Sequence, residues 1–510
     1  MLARTHLEIR STSAMSSLIG FSKPEAELVV QPSPVHLQLA RPAVRHNAAA
    51  HFRRYFAAFE VIADFATIIL AVTLGYFIYY RLDLGKHIHY PAKAVVGVAS
   101  GLAVIIILML DRVGAYARGN SLLRVRETEQ VVRVSAQAFL VAFAVSFFSS
   151  FLFSRWLLVI TLSLVPLLLF VQKNLMYLLV RKLHSKGYGI EKVLIYGSGH
   201  TGRRVYSVLR RSPKLGLDPL AFVDDNPDKV GASVFEMAYE RRRPASVVQG
   251  PITRELVWQY GADLVVIAIP SAPHAKFIET VQEVLAANAR VSFVPGHTLL
   301  SDAWVGYEDI DGVLLASFSK SSRWMGYELA KRFCDFLISS SLLMVCSPLL
   351  LVLAVLIKID STGPVFFRQL RVGQNGRRFK MWKFRTMTSG SPMYQYSPNV
   401  SSDPRITRIG RFLRRTSFDE LPQLLNVLEG SMSMVGPRPE MPFIVEQYKP
   451  EHKQRLRIKP GITGLWQLSG DRASRIHENI EYDLYYIQNR NFFMDLAILL
   501  HTLVFAMRGV

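Results

Sequence analysis

Hydrophobic residues in this chain fall first into long unbroken runs, then into short strand-like runs, then into a mixture of both. Four long apolar runs come first, at 56–80, 94–110, 134–152 and 156–172. Each reaches or approaches the ~20 residues that a helix needs to cross a bilayer, so four N-terminal transmembrane helices are predicted. Past residue 186 the texture changes. KVLIYG (192–197), PLAFVDD (219–225), LVVIAIP (264–270) and RVSFVP (290–295) are short apolar runs set between polar stretches. That alternation is the pattern of a Rossmann-like α/β unit with a parallel sheet. One more long run, KRFCDFLISSSLLMVCSPLLLVLAVLIKI (331–359), opens the last part. Beyond it, Leu421, Leu424, Leu425 and Leu428 repeat at helix spacing. The C-terminal run FFMDLAILLHTLVFAM (492–507) has only 16 residues and contains Asp495 and His501, which suits an interfacial helix better than a span.

The expected organisation is therefore an α/β membrane protein in five parts. These are a disordered tail at 1–50, a four-helix transmembrane region at 51–186, a Rossmann-like domain at 187–298, a connector at 299–326 and a C-terminal module at 327–510. The tail has no early apolar core, so no cleavable signal peptide is expected.

Composition agrees with a membrane protein. Half of the 510 residues are hydrophobic, and the mean hydropathy is +0.22. Lysine and arginine number 60 against 39 acids, a formal charge of +21. Such a balance fits basic cytoplasmic loops, anionic lipid and a polyanionic substrate. Nucleic acid is not an expected partner, since no nucleic-acid motif accompanies the charge. The only cysteines, Cys334 and Cys346, exclude a disulfide framework and a zinc site.

Basic residues also set orientation. Arg53 and Arg54 precede the first run, Arg112 to Arg133 supply five arginines between the second and third, and Lys173 to Lys186 follow the fourth. The N-terminus and everything past the fourth span are then cytoplasmic. Lys331 and Arg332 flank the start of the 331–359 run, and Lys358, Arg368 and Arg371 follow its end. Positive charge on both sides conflicts with a single crossing. Pro348, preceded by Ser347, lies near the middle. Proline removes a backbone hydrogen bond, and serine can satisfy the freed carbonyl. A re-entrant helix at 333–357, broken at Ser347-Pro348, reconciles these facts; a kinked true span is the other reading.

Candidate chemistry lies in two places. Gly197, Gly199 and Gly202 form G-x-G-x-x-G after a strand and before a helix, and Asp224 and Asp225 end the next strand about 20 residues later. This is the spacing of a dinucleotide-binding turn; the glycines also suit a tight turn and close helix packing alone. The second place is richer. From Ser361 to Arg415 there are twelve basic residues and one acid, Asp403, and the strand-like FKMWKFRTM (379–387) contributes Lys383 and Arg385. This stretch leads into adjacent carboxylates, Asp419 and Glu420. An acid beside clustered cations can attack phosphorus or hold a metal while the cations neutralise phosphate oxygens. Ser417-x-x-Glu420 matches a capping box, which would start a helix and leave Glu420 as a cap. GPRPE (436–440) stiffens Arg438 between two prolines, which suits an arginine presenting a bidentate fork to phosphate.

At KRFCDF, the Ser347-Pro348 break, FKMWKFRTM, DPRITRIGRFLRRTSFDELPQLLNVLEG, MSMVGPRPE and KPGITGLWQLSG, the chain resembles the bacterial sugar transferases, the monotopic polyprenol-phosphate phosphoglycosyl transferases. Its first 320 residues resemble the N-terminal part of the large-domain members. The resemblance implies transfer of a sugar-1-phosphate from a UDP-sugar to undecaprenyl phosphate with release of UMP, on the cytoplasmic face of the bacterial inner membrane. It implies Asp419 as nucleophile, Glu420 assisting, Mg²⁺ near Asp419, and Arg414 and Arg438 on phosphate, with Lys383 and Arg385 on the same wall. Glucose is favoured among donor sugars by family frequency. Expected partners are UDP-sugar, undecaprenyl phosphate and membrane lipid, with a homodimer left open. A membrane-anchored nucleotide sensor acting through the Rossmann-like unit is the alternative.

Overall fold

The computed structural model describes residues 45–83, 90–116, 124–148, 154–211, 215–234, 245–295, 303–310, 313–320, 325–390, 403–448, 452–468 and 480–507. Almost all of the tail expected at 1–50 lies outside these residues.

All four N-terminal helices are present: α1 (Arg45–Arg81), α2 (Ala92–Arg112), α3 (Arg124–Phe148) and α4 (Arg155–Ser185). Among the described residues, α1, α2 and α4 are long and apolar enough to cross a membrane. Their shared core is Ile68, Ala71, Ile106, Leu110, Val134, Val165 and Leu169. Helix α3 starts ten residues before the predicted run, because its charged first half finds partners inside the protein. Glu129 pairs with Arg126 at 3.1 Å and with Arg133. The last residues of the predicted run, 149–152, lie outside the described segments.

Helices α1 and α4 extend beyond the apolar runs and reach the Rossmann-like unit. Arg53 of α1 pairs with Glu191, which also pairs with Arg290. Glu191 begins β1 (Glu191–Tyr196), followed by α5 (His200–Arg211), β2 (Leu217–Asp224), β3 (Ser233–Val234), β4 (Ala245–Gln249), α6 (Arg254–Tyr260), β5 (Leu264–Ile267), α7 (His274–Ala286) and β6 (Arg290–Phe293). The six strands lie in the order β3-β4-β2-β1-β5-β6. All neighbours are parallel except β3 with β4. Parallel strands are covered on both faces and read as continuous apolar runs. Accordingly, Leu194, Val223 and Val265 fill the core on one face, and Val193, Ile195 and Phe222 fill it on the other. The expected connector contains an antiparallel hairpin, β7 (Ala303–Ile310) with β8 (Val313–Lys320).

The C-terminal module begins with α8 (Met325–Asp360). The helix does not break at Ser347-Pro348; helical structure continues through the proline. The carbonyl that Pro348 cannot serve, that of Met344, accepts instead from Ser347 Oγ at 2.8 Å, so the local deficit is repaired without ending the helix. Next come the hairpin β9 (Phe366–Val372) and β10 (Arg378–Phe384), then α9 (Arg408–Thr416), a 3₁₀ turn at Phe418–Glu420, α10 (Gln423–Glu429), β11 (Ser433–Val435), α11 (Pro442–Val445), β12 (Gly461–Thr463), α12 (Leu465–Leu468), α13 (Ile480–Asn489) and α14 (Phe492–Met507).

Helix α14 packs inside this module. Met494, Ala497 and Ile498 are buried in one core with Met381, Leu424, Trp466 and Tyr486. The two polar residues that argued against a span have structural partners. Asp495 accepts from Tyr327 at 2.8 Å, Lys331 at 2.8 Å and Tyr486 at 2.6 Å. The His501 ring is hydrogen-bonded to Thr128 of α3 at 2.8 Å.

Candidate active site

The acid pair sits at a joint between two short helices. Helix α9 packs Ile409 and Leu413 on Leu353 and Ile357 of α8 and ends at Ser417, whose φ of 59° is left-handed. The capping-box reading of Ser417 is corrected here. An N-cap takes extended backbone, whereas Ser417 terminates α9 and its side chain caps nothing. Asp419 and Glu420 occupy the 3₁₀ turn that follows, and α10 starts only at Gln423. Phe418 anchors the turn against α8 and lies edge-on to Phe412.

Helix α10 positions the basic wall. Buried Asn426 accepts from Trp382 N at 2.9 Å and donates to Lys380 O at 2.9 Å. This fixes β10, and with it Lys383, against the turn. Arg332 of α8 donates to Val427 O at 2.6 Å and Leu428 O at 2.8 Å, capping the C-terminus of α10.

Within this frame Lys383, Arg438 and Glu420 form one cluster. Glu420 accepts from Lys383 Nζ at 2.7 Å and from Arg438 Nη2 at 2.7 Å. Burial pushes its carboxyl upward, but Arg438 and Lys383 outweigh it and hold the group well below the usual carboxylate range. Asp419 differs from its neighbour. Lys383 Nζ stands 3.9 Å from Asp419 Oδ2, and among the described residues no hydrogen bond reaches its carboxylate. Burial, reinforced by Glu420, raises its pKa against the pull of Lys383, Arg438 and Arg414. Arg414 donates to Thr386 at 3.0 Å and contributes its charge to Asp419. Such a carboxylate is close to cations but bonded to none, as a nucleophile or a metal ligand requires.

Arg385 is used elsewhere. Its guanidinium donates to Thr362 O at 2.8 Å and Ser361 O at 2.7 Å, closing the C-terminal end of α8. Sequence reasoning also passed over Arg371 and Arg455. Arg371 is pulled down to about 10 by burial and by the charge of Arg438. Only its place in the cationic stretch could have marked it.

A Mg²⁺ ion fits this donor set in a limited way. Among the described residues no group of three or more His, Cys, Asp or Glu side chains could hold a metal. Glu420 is consumed by its two cations, which leaves Asp419 as the available carboxylate. Magnesium commonly binds through one or two carboxylates plus substrate phosphates and water, so a metal here would depend on the substrate.

The glycine loop is occupied by its own acid. Gly197 has φ of 106°, and a Cβ on Gly202 would run into the Gly197 carbonyl. Gly199 faces open space. Asp224 accepts from Ser198 N at 2.8 Å, Ser198 Oγ at 2.7 Å and Lys229 Nζ at 3.1 Å. These bonds overcome burial and lower its pKa to about 2. Asp225 is held by Tyr196 and Lys276. A cavity of about 1050 Å³ opens beside them, lined by Asp225, Gln249, Thr253, Arg254, Lys276 and Glu279 among others. It lies at the carboxyl ends of β2 and β4, where such sheets take ligands.

Residues 326–509 match the bacterial sugar transferase family, and residues 112–295 match a CoA-binding domain family. The chain is 33% identical over 324 residues to a UDP-glucose:undecaprenyl-phosphate glucose-1-phosphate transferase of Klebsiella pneumoniae, covering 62% of this chain and 68% of that protein. It is 30% identical over 380 residues to the undecaprenyl-phosphate galactose phosphotransferase of Salmonella typhimurium, covering 70% and 75%. The exopolysaccharide production protein PSS of Rhizobium leguminosarum is 46% identical over 186 residues, 34% of this chain and 93% of that protein. With a relative matched over more than two thirds of its length and the described site within the matched module, the chain belongs to the bacterial sugar transferase family and is a sugar-phosphate transferase.

Proposed function

We propose that the chain transfers a sugar-1-phosphate, glucose favoured, from a UDP-sugar to undecaprenyl phosphate at the cytoplasmic face of the bacterial inner membrane. This would be the initiating step of exopolysaccharide, capsule or O-antigen synthesis. The observation that carries the reading is the contrast within the acid pair: Glu420 is clamped by Lys383 and Arg438, whereas Asp419 is partly buried and free of hydrogen bonds among the described residues.

In this reading an oxygen of ionised Asp419 attacks the phosphorus that bears the sugar. The bond from that phosphorus to the bridging oxygen breaks, and UMP leaves with the electron pair. Undecaprenyl phosphate then attacks the same phosphorus through a phosphate oxygen. The phosphorus–Asp419 bond breaks, regenerating the carboxylate and giving undecaprenyl diphosphate sugar. Lys383, Arg414 and Arg438 neutralise phosphate oxygens in both steps, and Glu420 holds Lys383 and Arg438 in place. Asp419 would be the residue to hold a Mg²⁺, which would supply further charge neutralisation.

A lipid acceptor requires the site to lie near the membrane surface, and the packing of α8 supports a re-entrant course. Arg332, near its start, bonds α10, while Leu353 and Ile357 pack on α9. Only residues 417–422 separate α9 from α10. We read this closeness of α9 and α10, both packed on α8, as favouring a helix that enters and leaves by the same face.

The test is UMP release by the full chain in lipid with undecaprenyl phosphate and a panel of UDP-sugars. UDP-glucose is expected to turn over, and a phosphosugar adduct is expected on Asp419 when the acceptor is omitted. No UMP with any donor would refute the reading.

A further inference from the structure

The loop that carries Arg438 is held at every carbonyl from Pro437 to Glu440. Pro437 O accepts from Gly461 N at 2.9 Å and Glu440 O from Val372 N at 3.0 Å. The two carbonyls between them are taken by two arginines, Arg455 buried and Arg371 partly buried. Arg455 Nη2 donates to Arg438 O at 3.2 Å, and Arg371 Nη1 donates to Pro439 O at 3.3 Å. The prolines on both sides already restrict φ and ψ of Arg438, so these bonds fix what backbone freedom remains.

Each clamping arginine is itself fixed from behind. Arg371 Nη2 donates to Gln369 Oε1 at 2.6 Å. Arg455 bonds Glu440 at 3.0 Å, Asp483 at 2.7 Å and Tyr448 OH at 2.9 Å. A guanidinium turned on a main-chain carbonyl and tied by a second bond to another side chain holds a loop in place. The arrangement brings together β9, the loop at 436–440, the 3₁₀ turn at His452–Arg457 and α13, segments up to about a hundred residues apart in the chain. Arg438 then projects from this clamp onto Glu420.

We propose that Arg371 and Arg455 are positioning residues for phosphoryl transfer: they lock the backbone on either side of Arg438 so that its guanidinium meets the donor phosphate without reorganising. The proposal rests on the reading that Arg438 binds phosphate. It adds that the aim of Arg438 is set by two arginines that never touch substrate. Misplacement of a charge-stabilising donor by about 1 Å is enough to cost on the order of a hundredfold in rate.

Arg371 is the residue to change, because removing Arg455 would strand two buried carboxylates. Its own Nε is buried and finds no acceptor among the described residues, so direct contact with substrate is the rival reading, and a double mutant separates the two. The full chain in lipid nanodiscs is assayed for UMP release from UDP-glucose with undecaprenyl phosphate, as wild type, Arg371→Met, Arg371→Lys, Arg438→Ala and the double variant Arg371→Met/Arg438→Ala. Arg371→Met is expected to lower kcat/KM at least tenfold with little change in Tm, and Arg371→Lys to recover most of the loss. In the Arg438→Ala background, Arg371→Met is expected to add less than twofold. Wild-type activity in Arg371→Met beside an impaired Arg438→Ala would sink the clamp alone. A full, multiplying effect of Arg371→Met on Arg438→Ala would make Arg371 a direct ligand and overturn the positioning role. Wild-type activity in Arg438→Ala would end both readings. Should Arg371→Met fail to fold, Arg371→Gln, which keeps one donor, carries the same comparison.

Discussion

At the scale of residues, Asp419 and Glu420 are adjacent carboxylates with opposite environments. Burial raises Asp419 above the ordinary range, and Arg438 with Lys383 holds Glu420 below it. The stability signs follow by linkage. Ionising Asp419 costs folded-state stability as pH rises from about 4 through its raised pKa, so Asp419→Asn is expected to abolish UMP release while leaving Tm at neutral pH unchanged or higher. Glu420 contributes stability that is present above its unfolded value of about 4.3 and is lost as pH falls toward its lower folded value. Glu420→Gln is therefore expected to lower both Tm and activity at pH 7. Thermal melts of the two variants side by side check the opposite signs, and a lower Tm for Asp419→Asn at pH 7 would contradict them. The acid limb of kcat/KM should lie above the ordinary carboxylate range, since the nucleophile must be ionised. Arg385 makes a contrasting case. It ties Ser361 and Thr362 at the end of α8, so Arg385→Ala is expected to cost about 1–2 kcal/mol of stability through the lost hydrogen bonds. The KM for UDP-sugar of the folded fraction should stay within about twofold. A large KM increase with unchanged Tm would put Arg385 on the phosphate wall instead.

At the scale of elements, α8 decides where the site sits. Lys331 and Arg332, the charges that flank its start in the sequence, are both bonded inside the module, to Asp495 and to the end of α10. Helices α9 and α10, six residues apart, contact α8 at two levels. Cysteines placed at the exposed Leu329 and Ile359, in a chain lacking Cys334 and Cys346, are both expected to react with an impermeant reagent only from the cytoplasmic side. Reaction of the second from outside would make α8 a true span. Replacing Ser347 with alanine leaves the Met344 carbonyl without its donor, and the cost in lipid is expected to be about 0.5–2 kcal/mol.

At the scale of the whole molecule, the N-terminal helices are built into the transferase module. Val125 of α3 lies in the same core as Leu424, Met434 and Trp466. Thr128 is bonded to His501, and Asn491 donates to Glu129 at 3.4 Å. The residues of the candidate site nevertheless all lie beyond Tyr327. A chain of residues 320–510 reconstituted in lipid is therefore expected to retain UMP release but to melt at a lower temperature than the full chain, because the α14 face that α3 covers is exposed. A folded but inactive truncation would show that the N-terminal region contributes to the site itself.

Hydrophobic periodicity marked the helices near 56–172, four of the six strands of the Rossmann-like sheet and the helix at 331–359, because periodicity is a local property written in neighbouring residues; the order of strands in the sheet is tertiary. The acid pair and its basic surroundings were equally legible, since they are close in the chain. What tertiary structure decided was partnership. Lys383 and Arg385 stand two residues apart and looked alike, but β10 ends at Phe384, and Arg385 turns away to the end of α8 while Lys383 meets Glu420. Ser417 matched a capping box by spacing, but its left-handed φ made it the end of α9. Arg455 carried no local signal and Arg371 only its place in the cationic stretch, because the carbonyls they hold belong to a loop 17 and 68 residues away. Spacing cannot encode such pairings: they depend on which surfaces close on one another when the core forms, and that closure exists only in the folded chain.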